Sequence, residues 1–225
     1  KRFSSFYSMS AKVQNKIFTV GLTGGIGSGK TEVGKIFESF GAKLIRADLV
    51  AREIIDADPA IKQKIIKSFG NDIYCPDGKL NRREMAELIF HNSSNQKILN
   101  KIVHPYVISY IDDESDRYKQ TGEYPLIVVE AALIYEAHAE LSFDYIILVD
   151  ADDKSRIKWL MARDHLQRNE VLKRFASQLP QSEKTTRADF VIQNSGDLNA
   201  LHDKCSFVFR LLCQMSNMNL IQKEM

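Results

Sequence analysis

The chain has 225 residues, 44% of them hydrophobic and 27% charged, which is typical of one globular domain with or without insertions. A net charge of +2 argues against nucleic acid or a membrane surface as a partner, and no apolar run reaches the roughly 18 residues of a membrane span. Three scattered cysteines argue against a disulfide framework or a zinc site and favour a reducing, cytoplasmic setting.

The N-terminal stretch, residues 1–16, is basic, contains serine and holds no acidic residue, a composition faintly like that of an organelle transit peptide. The chain also starts without methionine. We expect this stretch to be a disordered tail or a remnant of expression, with a natural start at Met9.

The first predicted elements are a strand at 17–23 and a helix at 32–40, separated by the sequence GGIGSGKT at 24–31. This sequence fits G-x-x-x-x-G-K-[ST], the phosphate-binding loop. Glycines let backbone N–H groups turn toward an anion, and the helix start adds unpaired donors and a partial positive charge. Lys30 can reach the β- and γ-phosphates, and the Thr31 hydroxyl can bind Mg²⁺. The strand and helix on either side disfavour the alternative, a glycine-rich turn with a chance lysine.

A second strand is predicted at 42–47, and Asp48 follows its C-terminal end. Ligands of open α/β sheets bind beyond the carboxyl ends of the strands, so we expect Asp48 near the phosphate loop. Its alternatives are a structural N-cap for the helix that starts at Leu49, or a water-mediated Mg²⁺ contact. Arg52, in that helix, is a candidate for pairing with a substrate phosphate, or else a solvated residue or a partner of Glu53 or Asp56.

About seventy residues between the second and third strands are predicted to be mostly helical, at 59–69, 82–90 and 96–119. A crossover between parallel strands usually holds a single helix, so we interpret this stretch as an inserted helical subdomain for the second substrate. His104-Pro105 is expected to kink or divide its last helix, with His104 hydrogen-bonded at the kink.

Two apolar runs, at 125–130 and 145–150, predict parallel strands buried on both faces, and each ends in an acid, Glu130 or Asp150. A shorter strand is predicted at 188–192. The helical, charge-rich segment between the last two of these strands, 153–187, has the make-up of a lid over a phosphate site, or of a solvated helix pair. An amphipathic helix at 197–220 closes the chain.

These residues resemble the dephospho-CoA kinase family, beginning with LTGGIGSGKT at 22–31. The later matches, in chain order, are Ala51-Arg52, 80–90, His104-Pro105, 133–136, Arg163-Asp164, Arg174 with Gln178, and 188–196. The chain departs from the family pattern at two positions. Arg46 stands where the family has the first Asp of D-A-D, and Ala132 stands where it has Pro.

The resemblance implies a three-layer α/β/α P-loop kinase fold with about five parallel strands. The nucleotide-binding core would comprise 17–48, 121–152 and 188–225, the helical substrate domain 49–120, and the lid 153–187. The implied reaction moves the γ-phosphoryl of ATP to the ribose 3′-hydroxyl of dephospho-CoA, in the last step of coenzyme A biosynthesis, with Mg²⁺. The protein would be cytoplasmic, a monomer or a weak homo-oligomer, with no nucleic-acid or membrane partner.

Site residues follow by position. The catalytic residues implied are Asp48, Lys30 and Arg174, and the metal ligand is Thr31. Nucleotide binding is implied for Gly25, Ile26, Gly27, Ser28, Gly29, Lys30, Thr31, Glu32, Arg163 and Asn194. Substrate binding is implied for Thr23, Asp48, Arg52, His104 and Glu136. A surface ion pair is an even alternative for Arg163, and Glu130 and Glu136 are weaker candidates near the metal or substrate.

Two other functions stay open at this point. One is a P-loop kinase for another small molecule, such as a nucleoside or nucleotide, which the 80–105 stretch argues against. The other is a regulatory module that binds ATP without using it, which Thr31, Asp48 and the arginine-rich lid argue against.

Overall fold

The centre of the molecule is a five-stranded parallel sheet, seen in a computed structural model that describes residues 16–216 apart from the Ser93 side chain. The strands are β1 (Phe18–Thr23), β2 (Lys43–Arg46), β3 (Leu126–Glu130), β4 (Tyr145–Asp150) and β5 (Phe190–Gln193). They lie in the order β2-β3-β1-β4-β5, and every pairing is parallel. The predicted α/β fold with about five parallel strands is confirmed. The prediction for residues 1–16 lies outside the described residues except for Lys16.

Helices connect the strands and carry local start signals. They are α1 (Lys30–Ser39), α2 (Ala47–Ala57), α3 (Pro59–Phe69), α4 (Arg82–His91), α5 (Ser93–Thr121), α6 (Asp153–Asp164), α7 (Arg168–Ala176), α8 (Gln181–Arg187) and α9 (Leu198–Met215). At α3, Asp58 Oδ1 accepts from the N–H groups of Ala60 at 2.8 Å and Ile61 at 3.0 Å, and Pro59 occupies the first turn. Asp197 caps α9 in the same way.

The sheet is covered on both faces because alternate residues of each strand point to opposite sides. In β3, Leu126 and Val128 pack in the core beneath α1 and α9, whereas Ile127 and Val129 pack beneath α2 and α5. This gives three layers. The helices between β2 and β3 therefore share one apolar core with a face of the sheet.

α5 runs unbroken for 29 residues across Pro105, so the expected division at His104-Pro105 was wrong. Proline removes one backbone hydrogen bond from a helix. The apolar face of α5, with Val103, Val107 and Ile111 buried on both sides of the proline, stabilises the helix across it. Within residues 16–216, neither α5 nor any other helix is long and apolar enough to cross a membrane.

Candidate active site

The phosphate loop joins β1 to α1, as predicted. Gly27 and Gly29 have φ of 78° and 95°, a left-handed conformation that favours glycine. The N–H groups of Gly27, Gly29, Lys30 and Thr31 have no hydrogen-bond partner among the described residues. They stand at the start of α1, where the helix dipole is positive. These donors can hold the phosphates of a nucleotide.

Lys30 is half-buried inside the loop, and its Nζ donates to the carbonyl oxygens of Gly24 at 2.9 Å and Gly25 at 3.2 Å. Burial lowers the pKa of Lys30 to about 8, while the carboxylates of Glu130 and Asp48 act in the opposite direction. Both carboxylates are thus close enough to influence the lysine that would face the phosphates.

Thr31, the last residue of the loop, makes a polar contact with Glu130. Thr31 Oγ1 donates to Glu130 Oε1 at 2.6 Å, and Glu130 reaches it because β3 lies directly beside β1. A hydroxyl and a carboxylate are hard oxygen ligands, and Mg²⁺ in kinases takes only one or two protein ligands besides phosphate oxygens. The described residues hold no cluster of three or more His, Cys, Asp or Glu that could bind a metal by itself. The donor set therefore fits Mg²⁺ held together with nucleotide phosphates.

Arg46, the departure from the family pattern, lies beside this contact. Its Nε is 3.8 Å from Glu130 Oε2, and its Nη2 donates to Glu38 Oε2 at 3.3 Å. Arg46 and Glu130 occupy matching register positions at the ends of β2 and β3. A cation thus neighbours the carboxylate that would support the metal.

Asp48 lies in the first turn of α2, two residues after the end of β2, and lines a cavity between α2, α5 and the segment after β3. The N-cap position belongs to Arg46 and has no side-chain cap hydrogen bond, so the structural-cap alternative for Asp48 was wrong. The Asp48 side chain is exposed and has no hydrogen bond or ion pair with the described residues. Its carboxylate is free to meet a ligand.

The cavity beside Asp48 is mostly apolar, with walls from α2, α5 and the segment after β3. Its lining is Ala47, Asp48, Ala51, His104, Val107, Ile108, Ile111, Asp112, Val129, Ala131, Ala132, Leu133, Ile134, Ala137, Ala139, Ser142 and Phe143. His104 makes no side-chain hydrogen bond with the described residues, contrary to the expected bond at a kink. Burial lowers the pKa of His104, which favours the neutral imidazole. A ligand here would meet small apolar side chains and few polar groups.

Two further substrate candidates, Arg52 and Thr23, have different surroundings. Arg52 is exposed and forms no ion pair within residues 16–216, because Asp56 pairs with Arg82 at 2.8 Å. Thr23 is fully buried at the end of β1, its Oγ1 3.5 Å from the Ala132 carbonyl oxygen. These two residues are not part of the cavity wall.

Glu136 is engaged inside the protein. Its Oε1 lies 2.7 Å from the Nζ of the fully buried Lys184 and accepts from the Leu179 N–H at 3.0 Å. Glu136 therefore ties the segment after β3 to the segment that holds α7 and α8. The structure does not bring Glu136 to the cavity next to Asp48.

The predicted lid arginines pair with one acid. Arg163 binds Asp164 through two hydrogen bonds of 2.7 and 3.0 Å, and Arg174 Nη1 donates to Asp164 Oδ2 at 3.4 Å. The ion pair raises the pKa of Arg163 and lowers that of Asp164. A separate cavity lies next to the phosphate loop. Its lining is Gly27, Gly29, Trp159, Leu160, Arg163 and Asn194.

The rest of the loop is fixed by nearby groups. Asn194 Nδ2 donates to the Ser28 carbonyl at 2.8 Å, while Glu32 is exposed on α1 beside Lys35. Other lid side chains reach the loop, and sequence reasoning gave them no role there. They are Arg156, Gln178 and Gln181. The one available signal was the spacing of Arg156 and Leu160, which places both on the buried face of α6.

Comparisons with known proteins point to one family. A family model described as dephospho-CoA kinase matches residues 18–200. A protein named dephospho-CoA kinase from Salinibacter ruber is 38% identical over 191 residues, which are 85% of this chain and 96% of that protein. One of the same name from Listeria innocua is 36% identical over 180 residues, 80% of this chain and 90% of that protein. The crystal structure of TT1252 from Thermus thermophilus has a TM-score of 0.73 and 31% identity, covering 88% of this chain and 98% of that one.

Proposed function

Because the chain belongs to the dephospho-CoA kinase family, it catalyses the ATP-dependent phosphorylation of dephospho-CoA, and we propose how its residues divide this transfer. The assignment of roles rests on the groups that lie close to Lys30. The loop N–H groups without partners among the described residues and the Thr31–Glu130 pair adjoin Lys30 in the chain, and the carboxylates of Glu130 and Asp48 are both close enough to act on the charge of this lysine. This is the layout of a donor and an acceptor meeting at one lysine.

The donor side holds ATP. The loop N–H groups from Gly27 to Thr31 and the Lys30 ammonium bind the β- and γ-phosphates and offset the charge on the transferred phosphoryl group. Thr31 and Glu130 would hold Mg²⁺, which neutralises charge on the same phosphates when it is bound. Arg163 and Asn194 border the part of the site next to the loop that would receive the base.

The acceptor side holds the ribose of dephospho-CoA. Asp48, as a carboxylate, orients the 3′-hydroxyl and accepts its proton while the oxygen attacks the γ-phosphorus. His104, neutral in its buried setting, lies along the same wall. Arg52 offers an exposed guanidinium to a phosphate of the substrate. Substrate contacts for Thr23 and Glu136 stay predictions.

The lid completes the site. Arg174, and with it Arg163, leaves Asp164 and turns toward the transferred group when both substrates are present. Closure keeps water from taking the phosphoryl group. Residues 49–120 serve as the substrate side, and 153–187 as the lid. The cytoplasmic setting, the monomeric or weakly oligomeric state and the lack of a nucleic-acid partner stay predictions.

A comparison of four possible phosphoryl acceptors tests the function. Purified protein is given ATP and Mg²⁺ with dephospho-CoA, AMP, adenosine or shikimate in separate reactions, and ADP release is measured. We expect rapid release with dephospho-CoA alone. Preferential phosphorylation of AMP or adenosine would instead support a nucleotide or nucleoside kinase, and ADP release without any acceptor would point to hydrolysis.

A further inference from the structure

Three side chains of the lid segment converge on two consecutive residues of the phosphate loop. Gln181 Oε1 accepts from the Gly25 N–H at 3.0 Å, and Gln178 Oε1 accepts from the Ile26 N–H at 2.9 Å. Arg156 Nε donates to the Ile26 carbonyl oxygen at 3.1 Å. These three side chains, Arg156, Gln178 and Gln181, are called the clasp below.

The clasp is itself held in place. The Arg156 side chain is only 6% exposed, pairs with Asp153 at 2.8 Å and lies 4.0 Å from the centre of the Phe175 ring. Gln181 Nε2 donates to the Val149 carbonyl at 3.1 Å, at the end of β4. Arg156 and Gln181 are thus oriented by contacts other than those to the loop.

Gly25 is shaped for this contact. A Cβ built on Gly25 would lie 2.3 Å from Arg156 Nη2 and 2.9 Å from Gln181 Oε1, closer than real Cβ atoms come. The glycine at this position therefore serves the approach of the lid side chains.

The N–H groups of residues 25–31 fall into two sets, one with hydrogen-bond partners and one without. Those of Gly25 and Ile26 are taken by the glutamines, and that of Ser28 by the Gly25 carbonyl at 3.1 Å. The remaining donors, from Gly27 and from Gly29 to Thr31, are without partners among the described residues. Both sets belong to one short stretch of backbone. The hydrogen bonds that fix the first set therefore also limit the orientation of the second set.

We propose that Gln178 and Gln181 are positioning residues for the phosphoryl transfer. They hold the first half of the loop so that the second half presents its donors to the nucleotide phosphates, and they do not touch the phosphates themselves. The clasp also brackets the lid. Residues 157–177, which carry Arg163 and Arg174, are anchored to the loop by Arg156 on one side and by Gln178 and Gln181 on the other.

The inference rests on the proposed phosphate site but not on the acceptor, so ADP is the probe. The affinity for ADP is measured by titration calorimetry for the wild type, Gln178→Met, Gln181→Met and the double variant. Methionine keeps the length of glutamine and removes the acceptor oxygen. Gln214→Met, an exposed position on α9, is the matched control.

We expect each single variant to bind ADP roughly fivefold more weakly, the factor that corresponds to one ordinary hydrogen bond, and the double variant more weakly still. The KM for ATP should rise in parallel, while the KM for dephospho-CoA and the behaviour of Gln214→Met stay at wild-type values. Gly25→Ala should reproduce the weaker ADP binding with every lid residue intact, which covers the case in which a glutamine variant fails to fold.

Two results would overturn the proposal. Tighter ADP binding in the variants would mean that the glutamines compete with phosphate oxygens for the loop. Unchanged ADP binding with a lower melting temperature would mean that they only stabilise the fold. If the wild-type protein binds ADP normally but transfers no phosphoryl group to dephospho-CoA, the proposed function is wrong. That result does not bear on the effect of Gln178 and Gln181 on ADP binding.

Discussion

The donor and acceptor sides of this site are built from different forces. The donor side is centred on the loop at 24–31, where backbone N–H groups are available for phosphates and a hydrogen bond of 2.6 Å joins Thr31 to Glu130. The acceptor side is a cavity assembled from α2, α5 and the segment after β3, lined mostly by apolar atoms, with Asp48, His104 and Asp112 among its few polar side chains.

The difference shows what each side can recognise. Directed N–H groups suit phosphates, which every nucleotide carries, so the donor side is specific for a chemical group. An apolar cavity with few polar groups suits the shape of one molecule. Mutations on the donor side should therefore change nucleotide binding, and those on the acceptor side should change turnover or the stability of the wall.

The largest effect is expected from the buried pair behind the acceptor wall. Glu136→Gln leaves the fully buried Lys184 without its carboxylate, and breaking a buried ion pair from one side costs about 3–5 kcal/mol of unfolding free energy. Urea denaturation measures this loss. The double variant Glu136→Gln with Lys184→Met should lose less than the single one, because no unpaired charge remains. Unchanged stability with a raised KM for dephospho-CoA would instead give Glu136 the substrate-binding role.

The next effect concerns the free carboxylate of the acceptor side. Asp48→Asn should lower kcat by about 10²-fold or more, because an amide cannot accept the proton of the 3′-hydroxyl. ADP affinity should stay close to that of the wild type. Asp112→Asn, a carboxylate on the same cavity, is the matched control and should change kcat far less. Steady-state kinetics decide, and near-normal turnover of Asp48→Asn would remove Asp48 from the mechanism.

A third test concerns Lys30, the lysine of the phosphate loop. Phosphates bind the ammonium form of Lys30, whose pKa in the free protein is about 8. ADP affinity should hold up to that pH and then fall, becoming roughly tenfold weaker at pH 9 than at pH 7. Lys30→Arg keeps its charge across this range and should show a flat profile. Calorimetry at several pH values measures both.

Lys30 also predicts the sign of a change in stability. Its folded pKa of about 8 lies below the ordinary lysine value of 10.5, so the unfolded chain binds more protons between those two values. The unfolding free energy of the nucleotide-free protein should therefore rise with pH across that window, relative to Lys30→Met. A fall across the same window would contradict a buried, depressed lysine.

The smallest effect is expected at Arg46. Its guanidinium is partly exposed and 3.8 Å from Glu130, so solvent screens its charge. Arg46→Gln should lower the Mg²⁺ concentration needed for half-maximal nucleotide binding by about two- to fivefold, and Arg46→Lys should lower it less. Calorimetric ADP titrations over a Mg²⁺ series give the comparison. An increase in the Mg²⁺ requirement would mean that Arg46 supports the metal through the orientation of Glu130.

The sequence predicted those parts of the molecule whose signals are local. β4 begins and ends where its apolar run does, and the phosphate loop lies where its glycines and lysine indicate. Contacts between distant segments could not be predicted. Gln178 and Ile26 are 152 positions apart in the sequence. A local hydrophobic pattern cannot identify which lid side chain contacts the loop over that separation. Glu136 shows the same limit, because its burial depends on Lys184 and not on its position after a strand.

α5 connects the outer helices with the cavity wall. Its 29 residues make a rod of roughly 43 Å, with the outer helices α3 and α4 packed along it and the cavity wall on its side. Pro105 has no N–H for the Lys101 carbonyl, so the bending stiffness of the rod is lowest one residue from His104. Any bending of α5 would therefore be concentrated at this turn. Such bending would change the width of the cavity, because Val107, Ile108 and Ile111 line it from the part of α5 that follows the proline.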